Sequence, residues 1–315
     1  MKSKIILIIL LVLGFWVRLY KIDNPVADWH SWRQADTAAV TRNYVKEGIN
    51  LFYPKYDDLS GVPGRGFNPE GYRFVEFPIY NLIHYLLFNI TGQSYSLEIW
   101  GRLTTIFASL ISATLLYAIV KKHSNKSVAL LSAFFFLFIP FNIFYSRVIL
   151  PDPLMVTLFL SAIYFSETNF LLTLLFSCLA ILVKPVAIFF LLPVLLLYKF
   201  SQKSLVIGIL GLGIFGLWRY HSFQYPAAVP PSGWLLNGTH IRFRPAFFGW
   251  MFQQRLGELI DAYTKLYTYY NELTIPTNNR KNIKKPTKES VSNFKIKYEK
   301  EKRESAPWVA SIATF

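Results

Sequence analysis

The sequence predicts an all-α, polytopic membrane protein with about seven transmembrane helices and a large first loop outside the cytoplasm. Only 16% of its 315 residues are charged, whereas a soluble domain usually has about 25%. The apolar residues form long blocks, and Trp and Tyr cluster at the block ends, where amphipathic rings meet lipid headgroups. Lysines flank alternate blocks, which indicates that those ends lie in the cytoplasm.

The apolar blocks approach the length of about 20 residues that a helix needs to cross a bilayer. They predict spans at roughly residues 4–20, 98–120, 127–146, 153–168, 170–184, 186–200 and 204–218. No small-residue cleavage site follows the first block, which favours an uncleaved span over a signal peptide.

Three lysine clusters indicate the orientation of these spans. They are Lys2 with Lys4, then Lys121, Lys122 and Lys126, and finally Lys199 with Lys203. All of them are cytoplasmic if the N-terminus is cytoplasmic, so we expect a plasma-membrane protein with loop 21–97 outside. The apolar stretch from Phe77 to Ile90 is predicted to be an interfacial helix, because a further span would move the second lysine cluster outside.

The net charge of +15 is also typical of proteins that bind nucleic acid. Much of this charge lies beside apolar blocks and in the last 40 residues, so membrane topology explains it better. The expected partner is therefore the lipid bilayer and not nucleic acid. The single cysteine, Cys178, excludes a disulfide within the chain and a zinc site built from cysteines.

The first outer loop begins with a predicted helix that contains a candidate catalytic carboxylate. Capping near Asp28 or Ser31 would place Trp29, Arg33 and Asp36 near one another, one turn apart from each to the next. A carboxylate beside rings that stack on a sugar suits a general base. The alternative interpretation is that Asp28 caps the helix and that Asp36 pairs with Arg33 on an exposed face.

Further ionisable residues are expected in the same outer compartment. Asp152 precedes Pro153 and suits a helix cap, but an ionisable group at the edge of a membrane bundle is also a functional candidate. Lys184 opposes the charge rule, which indicates contact with a carrier phosphate or snorkelling to the headgroups. Glu76, Asp152 and His221 are candidate ligands for a divalent metal, the one cofactor considered.

The order of these features resembles the GT-C fold, and more closely the superfamily of protein mannosyltransferases and lipid A aminoarabinose transferases. The similarity covers about residues 1–225. The motifs that support it are Arg42-Asn43, Glu76-Phe77-Pro78-Ile79, Arg102-Leu103, Arg147 with Asp152, Lys184-Pro185 and Trp218-Arg219-Tyr220-His221. The resemblance implies an inverting glycosyltransferase that uses a polyprenyl-phosphate-linked sugar and an extracytoplasmic protein, lipid or glycan acceptor.

The resemblance also implies that a carboxylate of the first outer loop activates the acceptor, with help from the second-loop acid. Two positions depart from the family pattern, which has an Asp-Glu pair at Arg33-Gln34 and a lysine at Glu76. Asp36, or alternatively Asp28, is therefore the expected base. The remaining expected roles are charge neutralisation on the leaving phosphate by Lys184, Arg33 and Arg147, orientation or metal binding by Asp152 and Glu76, and sugar contact by Trp29 and Trp32.

Two other functions fit parts of the sequence. A transporter or flippase for lipid-linked saccharides would have ionisable groups near span centres and helices broken at mid-depth, whereas the charges here lie at outer span ends. An inactive truncated homologue is the other alternative. Residues 226–275 are expected to form an extracytoplasmic segment, and residues 276–315 a basic disordered tail.

Overall fold

The computed structural model describes residues 2–26, 30–60, 67–199, 201–229, 240, 243–258 and 260–261. Within these ranges the regular structure is helical without strands, apart from an isolated antiparallel bridge between Lys55 and Tyr72. The predicted all-α class is confirmed. The chain divides into two compact units, 1–230 and 231–315. Asp28, Trp29, the connection 61–66 and the predicted tail 276–315 lie outside the described residues.

The described part of the first unit consists of helices joined by short loops and one long connection between α2 and α3. The helices are α1 Lys2–Arg18, α2 Ser31–Glu47, α3 Ile79–Ile90, α4 Leu97–His123, α5 Lys126–Phe138, α6 Pro140–Tyr145, α7 Asp152–Phe165, α8 Phe170–Val183, α9 Ala187–Leu197 and α10 Gln202–Phe223. A 3₁₀ turn, Pro226–Ala228, follows α10. In the second unit, the short helix α11, Pro245–Gly249, leads into a π-helical turn, Trp250–Arg255.

Two helices, α4 with 27 residues and α10 with 22, are long and apolar enough to cross a membrane. The helices at the other predicted spans are shorter, and prolines explain part of the difference. The predicted span 127–146 is divided at Ile139, because Pro140 starts a separate helix. Helix α8 ends at Val183, since Lys184 precedes a proline and adopts extended backbone angles.

The surface of the first unit is rich in large apolar side chains, while several polar groups lie inside. Ile8, Leu171 and Leu217 are among the exposed apolar residues of α1, α8 and α10. Between α4 and α7, the buried Ser112 and Thr157 hydroxyls are hydrogen-bonded at 2.9 Å. An apolar surface of this extent is expected to be covered by lipid or by another protein.

Helix α3 also has polar side chains inside the protein and apolar side chains outside. The Asn81 amide donates to the Thr37 carbonyl at 2.7 Å, and His84 Nε2 lies 2.7 Å from the Leu97 carbonyl. Burial lowers the pKa of His84 to about 4, so the ring is neutral at pH 7. The polar face of α3 therefore packs inside the protein, while apolar residues such as Ile90 lie outside.

Gly101 lies where α4 packs tightly against α3, which leads to a stability prediction. A Cβ at this position would lie 2.8 Å from His84 Cε1 and 3.1 Å from two side-chain carbons of Ile149. We expect Gly101→Ala to destabilise the protein by about 1–3 kcal/mol, because His84 is buried and hydrogen-bonded and cannot easily move. Thermal unfolding in detergent measures this effect.

The matched control is Gly208→Ala in α10, where an added Cβ meets nothing within 4 Å. Alanine is a better helix former than glycine by up to about 1 kcal/mol, so this variant should be neutral or slightly stabilised. Equal destabilisation of the two variants would contradict the close packing of α3 on α4.

Candidate active site at the start of the first outer loop

Helix α2 positions the first group of functional candidates. It begins at Ser31 after His30, whose positive φ of 61° reverses the chain, and no side chain caps its first turn. The helix therefore begins near Ser31 as predicted, but Ser31 is its first helical residue and does not cap it. Gln34 and Thr41 on α2 are fully buried, which fixes the rotation of the helix and the direction of its remaining side chains.

Two arginines and two carboxylates, Arg33, Asp36, Arg73 and Glu76, form a cluster that we call the charge quartet. Arg33 Nη2 donates to Glu76 Oε1, so the predicted pair between Arg33 and Asp36 is wrong. Arg73 lies between the acids, with Nη2 3.7 Å from Asp36 Oδ2 and Nη1 3.7 Å from Glu76 Oε2. The quartet is neutral as a whole when all four groups are ionised.

Arg73 is the most deeply buried member of the quartet, with 5% of its side chain exposed. Burial lowers the pKa of Arg73 to about 10, so the guanidinium stays charged at neutral pH. Its guanidinium carbon lies 5.8 Å from the centroid of the Tyr56 ring, a geometry that favours a cation. Burial also raises the pKa of Tyr56 to about 12, so the phenol is neutral. Arg73 is therefore a fixed positive charge behind both acids.

Asp36 is the more accessible acid of the quartet, with 30% of its side chain exposed against 10% for Glu76. Burial raises the pKa of Asp36, and the positive charges of Arg73 and Arg33 oppose this shift. Within the described residues the Asp36 carboxylate accepts no hydrogen bond, and its contact with Arg73 is longer than one. Asp36 is therefore a partly exposed carboxylate with a raised pKa and free acceptor positions.

Asp152 and Lys184 form a second ion pair. Asp152 is the first residue of α7 and Pro151 occupies the cap position, so the predicted cap by Asp152 is wrong by one residue. Lys184 follows the last residue of α8, and its ammonium group donates to Asp152 Oδ1. A carrier phosphate or the lipid headgroups were the expected partners of Lys184, whereas its partner in the structure is a protein side chain.

Backbone contacts join the quartet to this ion pair. Gln34, next to Arg33, accepts a hydrogen bond from the Ile149 amide at 3.1 Å, three residues before Asp152. The Phe77 amide, next to Glu76, donates to the Leu182 carbonyl at 3.0 Å, two residues before Lys184. The structure therefore brings the two groups of charges close to each other.

The remaining candidates lie around these two groups. Arg147 donates to the Lys21 carbonyl at 3.3 Å, and Trp32 is exposed near the start of α2. His221 Nε2 lies 2.9 Å from the Phe52 carbonyl, and the imidazole is surrounded by aromatic rings, including Tyr53 at 5.0 Å.

The predicted metal ligands are not brought together in the structure. Among the described residues, no three His, Cys, Asp or Glu side chains are close enough to hold a metal ion. Glu76 binds Arg33, Asp152 binds Lys184, and His221 contacts the aromatic cluster. The ligand set Glu76, Asp152 and His221 is therefore wrong as a metal centre.

The Asp152–Lys184 pair allows a test that separates stability from function. The side chains are 46% and 28% exposed, so solvent screens their attraction. In a double-mutant cycle with Asp152→Asn and Lys184→Met, we expect a coupling in unfolding free energy of about 0.2–1 kcal/mol. Denaturation in detergent measures it. A coupling of several kcal/mol would mean that the pair is chiefly structural.

No protein-family model and no curated protein matches this chain. The structural evidence on function is therefore the geometry of the charge quartet and of the Asp152–Lys184 pair. Sequence reasoning missed Arg73, which binds both acids of the quartet. Its spacing of three residues from Glu76 was a signal, but that spacing is common between charged residues outside functional sites.

Proposed function

We propose that this protein is a multi-pass membrane glycosyltransferase that transfers a sugar from a polyprenyl-phosphate donor to an extracytoplasmic acceptor. The observation that supports this most directly is Asp36, a partly exposed carboxylate with a raised pKa and no hydrogen-bond donor among the described residues. A carboxylate in this state is suited to accept a proton from an acceptor hydroxyl or amine. Arg73 holds it in place from the buried side.

The two departures from the resembled family support the same function, because they compensate each other. Where the family pattern has an acid and a lysine, this chain has Arg33 and Glu76. These two side chains form an ion pair between α2 and the segment before α3, so the two exchanged charges compensate each other in this chain. Gln34 fills the second position of the family's acidic pair, but it is fully buried against Ile149. Asp36, two residues later, is the acid that remains accessible.

In the proposed reaction, the acceptor oxygen or nitrogen attacks the anomeric carbon and transfers its proton to Asp36. The bond between that carbon and the phosphate oxygen breaks, and its electron pair leaves with the polyprenyl phosphate. Displacement from the opposite face inverts the anomeric configuration. Lys184 and Arg147 are the cations proposed to stabilise the charge on the phosphate, and Trp32 is proposed to contact the sugar.

The proposed topology has the N-terminus in the cytoplasm and both groups of charges outside. Exposed apolar side chains on α1, α8 and α10 support contact with lipid along several helices. Lys122, near the end of α4, pairs with Glu167 in the loop between α7 and α8. This ion pair joins the α4–α5 and α7–α8 connections, both of which lie in the cytoplasm in the proposed topology.

The experiment that tests this function is sugar release from a radiolabelled pool of polyprenyl-phosphate sugars by the purified full-length protein in nanodiscs. A membrane extract supplies the acceptors. We expect loss of label from the donor and its appearance in an acceptor of the extract. Absence of turnover with every donor and acceptor pool would contradict a transferase.

The second candidate is a transporter for lipid-linked saccharides, and one observation favours it. Helices α5 and α6 are separated at Ile139, and the buried Arg18 guanidinium donates to the Leu137 carbonyl beside this break at 2.9 Å. Broken helices with a nearby charge are typical of transporters. Movement of a labelled lipid-linked sugar across vesicles, without release of the sugar, would favour this candidate.

A further inference from the structure

The break between α5 and α6 leaves backbone acceptors that side chains satisfy. Pro140, the first residue of α6, has no amide hydrogen and cannot donate to the Phe136 carbonyl, as a continuing helix requires. The Asn142 side chain donates to this carbonyl instead. The next carbonyl, that of Leu137, accepts a hydrogen bond from Arg18 Nη2 at 2.9 Å. Two side chains therefore supply the donors that a continuous helix would have supplied from its backbone.

The Arg18 side chain is fully buried at the end of α1. Besides the bond to Leu137, Nη1 donates to the Gly14 carbonyl at 2.8 Å, and Nε donates to the Ser146 hydroxyl at 2.5 Å. Among the described residues its hydrogen-bond partners are these neutral groups, and no carboxylate pairs with it. A buried guanidinium is costly unless its donors are satisfied. The three bonds therefore fix the positions of Leu137 and Ser146 relative to α1.

We infer that Arg18 positions the second outer loop, residues 146–151, which joins α6 to α7. Ser146, which is fully buried, is the first residue of this loop and is held by Arg18. The loop contains Arg147, and Asp152 follows it as the first residue of α7. Both of these proposed site residues therefore depend on where Arg18 holds the start of the loop. Arg18 is a positioning residue that acts through the loop and does not itself contact the proposed substrates.

Backbone hydrogen bonds within the second outer loop provide a direct measure of its position. The Ile149 amide donates to the Gln34 side chain of α2 at 3.1 Å, so the loop also contacts the helix that contains Asp36. The amides of Ser146 and Arg147 donate to carbonyls of α6 at 3.0 and 3.1 Å. Amide hydrogens that are bonded in this way exchange with solvent only when the bonds open. A loop that is no longer held by Arg18 should therefore exchange faster.

The test is amide hydrogen exchange of Arg18→Met, followed by mass spectrometry on the full-length protein in nanodiscs, well below its unfolding temperature. We expect exchange in residues 146–151 to rise several-fold, while α8 exchanges as in the parent protein. The matched control is Arg42→Met, since Arg42 pairs with Asp57 at the surface, where the side chains are 42% and 48% exposed. This control should change neither segment. Unchanged exchange of the loop in Arg18→Met, or an equal rise in both segments, would overturn the inference.

A second substitution separates positioning from stability. In Arg18→Met the Leu137 carbonyl loses its donor, and Pro140→Ala lets α5 continue, so that the Phe141 amide can reach this carbonyl. The double variant should regain unfolding temperature, but a continued α5 displaces α6 and Ser146. We expect exchange of the loop to stay raised and turnover to stay about 10–100-fold below the parent. Return of both to parent values together with the stability would show that Arg18 only stabilises the fold.

Ser146→Ala is the second variant if Arg18→Met does not fold. It removes only the acceptor of Arg18 Nε, so the rise in exchange of the loop should be smaller and confined to the same segment. No rise there would contradict the inference. The effect on turnover rests on the proposed function, whereas the exchange measurement does not. If the parent protein turns over no donor, the transferase proposal fails, and exchange of the loop alone decides whether Arg18 positions it.

Discussion

Asp36→Asn is expected to reduce sugar transfer by about 10²–10⁴-fold, because a positioned general base contributes a factor of this size. Asparagine has nearly the same shape, and Arg73 keeps its second partner Glu76, so the fold should be retained although the ion pair between Asp36 and Arg73 is lost. The measurement is the rate of donor turnover under saturating acceptor, with unfolding temperature as the check on folding.

The matched control for this variant is Glu47→Gln at the other end of α2. Glu47 is exposed and pairs with Lys55, so its replacement should leave turnover within about twofold and stability within about 0.5 kcal/mol. If Asp36→Asn retained more than a tenth of the activity, the base would have to be sought elsewhere, with Asp28 as the first alternative.

The pH dependence of transfer follows from the raised pKa of Asp36. The base acts in its ionised form, so turnover should fall as the pH is lowered through this pKa, at a higher pH than for an ordinary aspartate. Glu76 contributes to the upward shift because it is a like charge. Glu76→Gln removes this like charge and also releases Arg33 from its partner. Both changes lower the pKa of Asp36, so the acid limb, the part of the pH profile where turnover falls with pH, should move to lower pH.

The sequence predicted helices well where one uninterrupted block of apolar residues forms one helix. The first, second and last predicted spans of the bundle correspond to α1, α4 and α10 within a few residues at most ends. The exceptions lie at prolines. Pro140 interrupts a predicted span by starting α6, and Pro185 brings α8 to an end. These residues were visible in the sequence, but whether a membrane helix continues through a proline depends on its packing.

The partners of charged residues could not be predicted from the sequence. Arg33 lies three positions before Asp36, which favours a local pair, yet its partner is Glu76, 43 positions away. Lys184 and Asp152 are 32 positions apart. Sequence spacing reports neighbours along one helix, whereas these pairs depend on how helices and loops meet. The candidate acids were found by residue type, and the cations that hold them required the structure.

Arg73→Met is expected to have the second large effect, on stability and on the acid limb together. Removing the guanidinium takes a buried positive charge from between Asp36 and Glu76, and loss of one partner from a buried ionic group costs about 3–5 kcal/mol. Chemical denaturation in detergent measures this loss. The conservative variant Arg73→Lys keeps the charge and should recover part of the stability.

Arg73→Met should move the acid limb of the pH profile in the opposite direction from Glu76→Gln. The positive charge of Arg73 is the strongest influence that lowers the pKa of Asp36, so its removal should raise this pKa further. The acid limb of the pH profile should then move to higher pH, while Arg73→Lys should stay near the parent protein. A purely structural arginine would lower the amount of folded protein without moving the limb. Movement in the predicted direction in both variants would identify Asp36 as the titrating base and Arg73 as the residue that positions it.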